Sequence, residues 1–365
     1  MPYRVRPNVM KMRAYSPGKP IDELKRELGL AEVVKLASNE NPLGPSPKAV
    51  AAVKDAASGM NLYPDASGYA VKQKISERFE IDPKHIVLGN GSDEVLNLIG
   101  QVFLGGHEDV VVAGSPSFVR YRALAQLADC AFTSVPVNGH WRHDLVAMAT
   151  AITPATKLVF IDNPGNPTGT ILNVDEVDEF MSAIPEGVVI VFDEAYYEFA
   201  RHEPGYPDSL RYLRDGKPVI VVRTLSKSYG LAGIRIGYTF APVEVVDAID
   251  RVREPFAVNS LAQVAAIAAL DDDEHLANTL AVNREGRDRV SERMSELGFD
   301  TIESFANFIC IDVKRPAQEV AEALLRQGVI VRSGHALGMP RHIRVSIGTP
   351  DEMIRFLEAF ESVTN

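Results

Sequence analysis

The middle of the chain alternates short runs of apolar, mostly β-branched residues with segments of helical periodicity. The apolar runs are HIVLGN, DVVVAG, KLVFIDN, VVIVFD, VIVVRT and IRIGYTFA, and helical patterns such as SDEVLNLIGQVFL and SFVRYRALAQLA lie between them. Continuous apolar runs are typical of strands that are buried on both faces. Strands separated by helices favour an α/β fold with a mostly parallel sheet covered by helices on both sides.

The pattern changes near residue 255. A long helical stretch follows, and FICIDV, VIVRS and HIRVSIG then alternate with further helical segments. A chain of 365 residues is long enough for two domains. We therefore predict a large domain at 36–255 and a smaller α/β domain at 256–365. The N-terminal segment, 1–35, contains one helical pattern, IDELKRELG, and we expect it to pack on the small domain.

Charge and cysteine content exclude several classes of protein. The formal net charge of −11 disfavours a nucleic-acid partner, because binding to a phosphate backbone needs clustered Lys and Arg. No apolar run approaches the roughly 18 residues of a membrane span, and the basic start of the chain lacks the apolar region of a secretory signal. Cys130 and Cys310 form no disulfide framework. We predict a cytoplasmic protein without a membrane partner.

Three of the predicted strands end in a polar residue. VVIVF leads into Asp193, KLVFID leads into the turn NPGNPTG that contains Asn166, and VIVVRTLS leads into Lys227. Each residue alone has an ordinary interpretation, as a cap, a turn former or a solvated charge. Ligands of parallel sheets bind beyond the carboxyl ends of the strands. Together the three residues predict a site where a carboxylate, an amide and a lysine converge.

A fourth feature points to a phosphate. LGNGSDEVLNL is a glycine-bearing turn from a strand into a helix, and the backbone N–H groups near Ser92 and Asp93 suit an anion. The third glycine of a dinucleotide fingerprint is missing, which favours a single phosphate. A lysine can form a Schiff base with an aldehyde, and a buried Asp can keep a pyridine nitrogen protonated. A cofactor with all three groups is pyridoxal 5'-phosphate.

Four motifs, NPGNPTG, FDEAY, TLSKSYGLAGIRIGY and RHIRVSIGTP, resemble in this order the signature series of the class I/II pyridoxal-phosphate aminotransferases. The resemblance extends from about Leu36 to the C-terminus. It implies the aspartate-aminotransferase-like architecture called fold type I, in which a large domain with a mostly parallel seven-stranded sheet is joined to a smaller α/β domain. It also implies a homodimer.

The resemblance assigns roles to individual positions. It implies that Lys227, Asp193 and Tyr196 are catalytic and that Lys227 carries the cofactor. The cofactor-binding set is Lys227, Ser92, Asp93, Phe118, Asn166, Asp193, Tyr196, Ser226, Arg235 and, across the dimer interface, Tyr63. The substrate-binding set is Tyr15, Asn39, Arg332 and Arg344. No metal is expected, because His140 and His143 of HWRH lack a third ligand and lie in what we interpret as a surface loop after a strand.

The substrate is less narrowly defined. LASNENPLGPSP, YPD and YSPGKPIDELKRELG resemble the branch of the family that transaminates histidinol phosphate with 2-oxoglutarate in histidine biosynthesis. Phe118 and Phe256 replace tyrosines of some members, which leaves an aromatic amino acid (Phe/Tyr) aminotransferase as an alternative. A decarboxylase acting on threonine phosphate would use Lys227 equally. Arg344 does not separate these substrates, because a guanidinium binds phosphate and carboxylate alike.

Overall fold

The computed structural model describes residues 4–12 and 32–364. The strands in chain order are β1 Val34–Leu36, β2 Ile86–Gly89, β3 Val110–Ser115, β4 Ala131–Pro136, β5 Thr156–Asp162, β6 Val189–Asp193, β7 Val219–Thr224, β8 Gly237–Phe240, β9 Asp300–Ile302, β10 Phe308–Asp312, β11 Val329–Ser333 and β12 His342–Ser346.

Helices cover both sheets. They are α1 Pro7–Lys11, α2 Pro47–Ala56, α3 Tyr69–Phe79, α4 Ser92–Phe103, α5 Val119–Ala128, α6 Leu145–Thr150, α7 Val174–Ala183, α8 Tyr197–Ala200, α9 Ser209–Arg214, α10 Val243–Val252, α11 Ser260–Leu270, α12 Asp273–Glu296, α13 Ala317–Arg326 and α14 Pro350–Thr364. In the part of the chain that the structure describes, no helix combines the length and the apolar character that a membrane span needs.

The large sheet has seven strands in the order β2-β8-β7-β6-β5-β3-β4. Strand β8 runs antiparallel to both of its neighbours, and the other pairs are parallel. The mostly parallel seven-stranded sheet that the sequence led us to expect is therefore confirmed. Strands β5, β6 and β7 lie side by side, so the three polar strand ends meet at one edge of this sheet. Every residue of β7 is buried, in keeping with its continuous apolar run.

The small sheet has five strands in the order β1-β11-β12-β10-β9. Strand β1 pairs in parallel with β11, and the remaining pairs are antiparallel. Its core contains Val320 and Leu324 of α13, Phe356 and Phe360 of α14, and Val290 of α12. Strand β1 is short and forms one edge of this sheet, next to β11.

The division between the two cores differs from the predicted boundary at residue 256. Val258, Ala262 and Leu276 belong to the hydrophobic core of the large sheet, whereas the core of the small sheet contains Leu36 and then residues from Val290 onward. Helix α11 is mostly apolar, with Ser260 and Gln263 as its polar residues, and its alanines allow close packing on α2 and α3. A pattern with few polar residues does not show on which core a helix packs, so the domain boundary at residue 256 stays a prediction.

The N-terminal residues also differ from the expectation that 1–35 pack on the small domain. Arg6 Nη2 donates to the carbonyl of Leu127 at 2.7 Å, and Asn8 Nδ2 donates to the carbonyls of Gln126 and Leu127 at 2.9 Å each. These carbonyls lie at the end of α5, which covers the large sheet. Among the described residues of this segment, those at its end join the small domain through β1. The predicted helix IDELKRELG lies outside the described residues.

Candidate active site

A cavity of about 690 Å³ lies where the carboxyl edge of the large sheet faces the small sheet. Its wall includes most of the residues that the sequence indicated: Asn39, Ser92, Asp93, Phe118, Asn166, Asp193, Tyr196, Ser226, Lys227, Arg235, Arg332 and Arg344. Tyr63 lies instead on the surface, where its side chain is 83% exposed. Tyr15 lies outside the described residues.

Lys227 follows β7 through a turn in which Thr224 Oγ1 accepts the N–H of Ser226 at 3.1 Å. Its Nζ lies 3.3 Å from the carbonyl oxygen of Ser38 and 5.9 Å from the centre of the Tyr196 ring. Burial, and then the positive charge of Arg344, lower the pKa of Lys227 to about 8. More of this amine is therefore neutral at physiological pH than for a surface lysine, and the neutral amine is the nucleophilic form.

Asp193 ends β6 and is almost completely buried. Its Oδ2 accepts from the hydroxyl of Tyr121 at 2.8 Å, and its Oδ1 accepts from the N–H of Ala195 at 3.3 Å. Burial raises the pKa of Asp193 to about 7, against the lowering effect of the Tyr121 hydrogen bond, and the charge of Asp162 raises it further. Within residues 4–12 and 32–364, no Lys or Arg side chain bonds this carboxylate. A cationic group bound opposite Asp193 would favour its ionised form.

Helix α4 begins at the cavity after Gly91, whose φ is +81°. A Cβ at Gly91 would collide with Arg235 Nη2, and a Cβ at Gly237 would collide with the backbone N of Ser92. Glycine at both positions therefore lets the guanidinium and strand β8 approach the first N–H groups of the helix. These N–H groups, the guanidinium and the hydroxyl of Ser226 together suit a phosphate.

Asp93 adds a carboxylate beside this anion site. Its Oδ2 is 3.9 Å from Arg235 Nη2, and its Oδ1 is 3.6 Å from Arg120 Nε. The side chain of Asp93 thus faces arginines, and only its backbone N–H has the chemistry to hold a phosphate. Phe118 precedes α5 and contacts Tyr121 edge to face, with ring centres 5.8 Å apart.

A hydrogen-bond network fixes the phenol of Tyr196. Its hydroxyl accepts from Asn39 Nδ2 at 2.8 Å, and Asn39 Oδ1 accepts from Ser346 Oγ at 2.9 Å. Asn39 adopts a left-handed backbone, with φ of +54°, and a bond from its N–H to Ser346 Oγ at 2.8 Å accompanies that geometry. Burial raises the pKa of Tyr196 to about 12, although the charge of Arg344 opposes this. The phenol therefore keeps its proton at neutral pH.

The small sheet supplies a cationic wall. Arg344 of β12 and Arg332 of β11 occupy paired positions on neighbouring strands, and both line the cavity with Lys35 and Arg120. Arg344 Nη1 donates to Asn166 Oδ1 at 2.6 Å, and its Nη2 donates to the carbonyl of Ala37 at 3.0 Å. Two guanidiniums at one side of the cavity favour a ligand with an anionic arm.

Sequence reasoning missed three polar residues of this region. Tyr121 lies three positions beyond Phe118 on the same face of α5, and Asp162 is a polar strand end like Asp193, so both left a signal in the sequence. The assignment of His143 to a surface loop was wrong, because its side chain is buried and its Nε2 lies 2.7 Å from Asp162 Oδ1.

The profile of the family described as aminotransferase class I and II matches residues 31–360. The chain belongs to this family. The histidinol-phosphate aminotransferase of Moorella thermoacetica is 44% identical over 361 residues, which cover 99% of this aminotransferase and 93% of that protein. The enzyme of the same name from Akkermansia muciniphila is 45% identical over 358 residues, with 98% and 97% covered.

Solved structures share the fold. The crystal structure of histidinol-phosphate aminotransferase from Sinorhizobium meliloti in complex with pyridoxal-5'-phosphate has a TM-score of 0.89 and 28% identity to this aminotransferase, and covers 99% of it and 98% of that chain. Aspartate aminotransferase of Thermus thermophilus with maleate has a TM-score of 0.86 at 22% identity, with 99% and 100% covered. The fold type I architecture expected from the sequence is thereby confirmed.

Proposed function

We propose that this aminotransferase carries pyridoxal 5'-phosphate on Lys227 and transfers the amino group between histidinol phosphate and 2-oxoglutarate in histidine biosynthesis. One observation carries the proposal: the amine of Lys227, the buried carboxylate of Asp193 and the glycine-flanked start of α4 line a single cavity. These are the partners that an aldehyde, a pyridine nitrogen and a phosphate need. The relatives named above, at 44% and 45% identity over almost the whole chain, support the substrate.

When bound, the cofactor would supply a protonated ring that draws electrons from the substrate α-carbon. Asp193 would hold the proton at the ring nitrogen, and burial makes this charge pair strong. Lys227 Nζ, once free, would move the proton at the α-carbon, and the lowered pKa suits it to act as a base.

The remaining predicted residues would bind and orient the cofactor. Asn166 and Tyr196 would each donate a hydrogen bond to the phenolic oxygen of the cofactor. Asn166 Oδ1 already accepts from Arg344, so Nδ2 is the atom of Asn166 that would donate. The backbone of Ser92 and Asp93, the hydroxyl of Ser226 and the guanidinium of Arg235 would hold the phosphate. We propose that Phe118 stacks on the ring.

The cationic wall would hold the anionic arm of the substrate. Arg344 and Arg332 would grip it, with Asn39 on the substrate side and Tyr15 as a further predicted partner. A phosphate arm with up to two negative charges fits this wall better than a single carboxylate does. Ile330 and Leu337 add apolar surface to the same cavity, which is the observation that favours aromatic amino acids as a second candidate.

A transamination panel tests the substrate. Histidinol phosphate, phenylalanine, tyrosine and threonine phosphate are each offered with 2-oxoglutarate, and kcat/KM values are compared. We expect histidinol phosphate to exceed the aromatic amino acids by at least about tenfold, because the second negative charge meets a second guanidinium. A preference for phenylalanine or tyrosine would support the alternative. Release of carbon dioxide from threonine phosphate without an oxo-acid would contradict transamination altogether.

We further propose a homodimer in which Tyr63 reaches the cofactor phosphate of the partner subunit. Tyr63 stacks on Phe256 with ring centres 4.6 Å apart, and both rings lie on the surface rather than in the cavity. Met60 and Leu62 beside them are 67% and 69% exposed. An exposed apolar group of this kind is typical of an interface, and a second copy of the chain is the partner that the resemblance implies.

A further inference from the structure

A second carboxylate lies next to Asp193. Asp162 ends β5, and the strand register pairs it with Asp193 at the end of β6. It is 3% exposed and lines the cavity. Its charge raises the pKa of Asp193, of Tyr121 and of Tyr196. The proposed function gives this residue no role, although it acts on three groups of the site.

Both oxygens of Asp162 are engaged. Its Oδ1 lies 2.7 Å from His143 Nε2, and its Oδ2 accepts the backbone N–H of Asn166 at 2.7 Å. Asn166 in turn accepts from Arg344 through Oδ1. A continuous chain of hydrogen bonds therefore leads from His143 through Asp162 and Asn166 to the arginine of the cationic wall.

The protein is shaped to hold His143 in this position. The residue lies between β4 and α6, with its side chain buried. A Cβ at Gly114 of β3 would collide with His143 Nδ1, so glycine at 114 leaves the space that the ring fills. In the part of the chain that is described, Nδ1 has no hydrogen-bond partner. The contact with Asp162 is thus the polar interaction that orients this imidazole.

We propose that His143 is a positioning residue of the aminotransferase, which donates Nε2–H to Asp162 and so fixes the turn that presents Asn166 to the cofactor and to Arg344. The proposal rests on the proposed function of the site. Without the donor from His143, the buried Asp162 carboxylate would lose one partner and would turn toward other donors. The N–H of Asn166 would then lose its acceptor, and the amide would no longer be held in one orientation.

Two variants of similar volume separate the donor from simple space filling. His143→Gln keeps an N–H close to the place of Nε2, whereas His143→Leu fills the space without a donor. We expect His143→Leu to lower kcat/KM for histidinol phosphate by about tenfold or more, the effect of one lost bond to a buried charge. His143→Gln should stay within about threefold of the wild type.

A spectroscopic measurement complements activity. The visible absorption of bound pyridoxal phosphate changes with pH, and its midpoint depends on the hydrogen bonds that the phenolic oxygen receives. Displacing Asn166 should shift this midpoint in His143→Leu by about half a pH unit or more, and His143→Gln should remain near the wild type. Gly114→Ala should behave like His143→Leu, because its methyl group would push the intact imidazole off Asp162.

The outcomes are distinct. The proposal is supported if His143→Leu and Gly114→Ala both shift the midpoint and lower kcat/KM, while His143→Gln keeps both values near those of the wild type. Equal behaviour of the Gln and Leu variants at equal melting temperature overturns it. Should His143→Leu not fold, His143→Asn replaces it, because its shorter amide does not reach Asp162. A wild-type protein without any pyridoxal phosphate absorption would instead contradict the proposed function and leave the hydrogen bonds of His143 as a structural feature only.

Discussion

Asp193 shows how burial prepares a side chain for a ligand. A carboxylate at a surface strand end would be ionised and solvated, whereas burial here raises its pKa to about 7 while Tyr121 and Ala195 hold it in place. Such a group is costly to ionise alone and gains much from a cationic partner. This is the property that a pyridine nitrogen needs from its neighbour if it is to stay protonated.

Replacing Asp193 by Asn should therefore leave the cofactor bound and lower kcat by at least about 100-fold, because an amide does not stabilise the ring charge. The visible spectrum checks retention of the cofactor, and steady-state kinetics give kcat. Asp208→Asn is a matched control, since that carboxylate caps α9 and pairs with Arg214, and neither residue lines the cavity. A kcat of Asp193→Asn close to that of the control would remove the role assigned to this residue.

The pKa of Lys227, lowered to about 8, leads to a pH dependence of cofactor capture. The neutral amine attacks the aldehyde, so the capture rate by the cofactor-free protein should rise with pH and level off above about 8. Free Nα-acetyl-lysine, the control, should still accelerate toward pH 10. Stopped-flow absorbance gives both profiles. A protein profile that follows the free amine would show that the pocket leaves Lys227 unperturbed.

The loop between β2 and α4 is the element that creates the anion site. Gly91 needs its positive φ and its lack of a Cβ, because Arg235 approaches it closely. Gly91→Ala should weaken binding of pyridoxal phosphate by about tenfold or more, through strain and displacement of the guanidinium. Gly187→Ala is the control, since Gly187 also has a positive φ of +87° but a Cβ there meets open space. Equal dissociation constants for the two variants, from absorbance titration, would contradict this account of the loop.

Some elements could be predicted from the sequence because their cause is local. The apolar runs that lead to Asp193, Asn166 and Lys227 indicated three adjacent parallel strands. Both signals, the continuous apolar run and the polar residue after it, lie in consecutive residues of the sequence. Helix α11 packs on the core of the large sheet although it follows the predicted boundary at residue 256, because a mostly apolar helix carries no sequence signal for the core on which it packs. The burial of His143 could not be predicted either, because it depends on the space over Gly114, a residue distant in sequence.

The two domains contribute different chemistry to one cavity. The large sheet provides Lys227, Asp193 and the start of α4, while the small sheet provides Arg332 and Arg344. A change in the angle between the sheets would therefore alter the distance between the cofactor groups and the substrate-binding arginines. The resemblance assigned Lys227 and Asp193 to the cofactor and Arg332 and Arg344 to the substrate, but the hydrogen bonds of Asp162 and Asn39 became visible only in the structure.

The proposed dimer can be tested by mixing two variants that are each impaired at a different residue of the site. Lys227→Ala lacks the amine, and Tyr63→Ala lacks the residue that reaches across. If Tyr63 acts in the partner subunit, a mixed dimer contains one complete site, so an equimolar mixture should recover about a quarter of wild-type activity after subunit exchange. Each variant alone is the control. No recovery, with mixed dimers demonstrated by mass spectrometry, would place Tyr63 in its own subunit or outside the site.

The most direct test of the whole account is reductive trapping of the cofactor on its lysine. The protein is purified with pyridoxal phosphate, reduced with borohydride, digested and analysed by peptide mass spectrometry. We expect one labelled peptide, which contains TLSKSYG, with the added mass on Lys227. Label on another lysine, or a reduced protein that carries no label at all, would contradict the central claim.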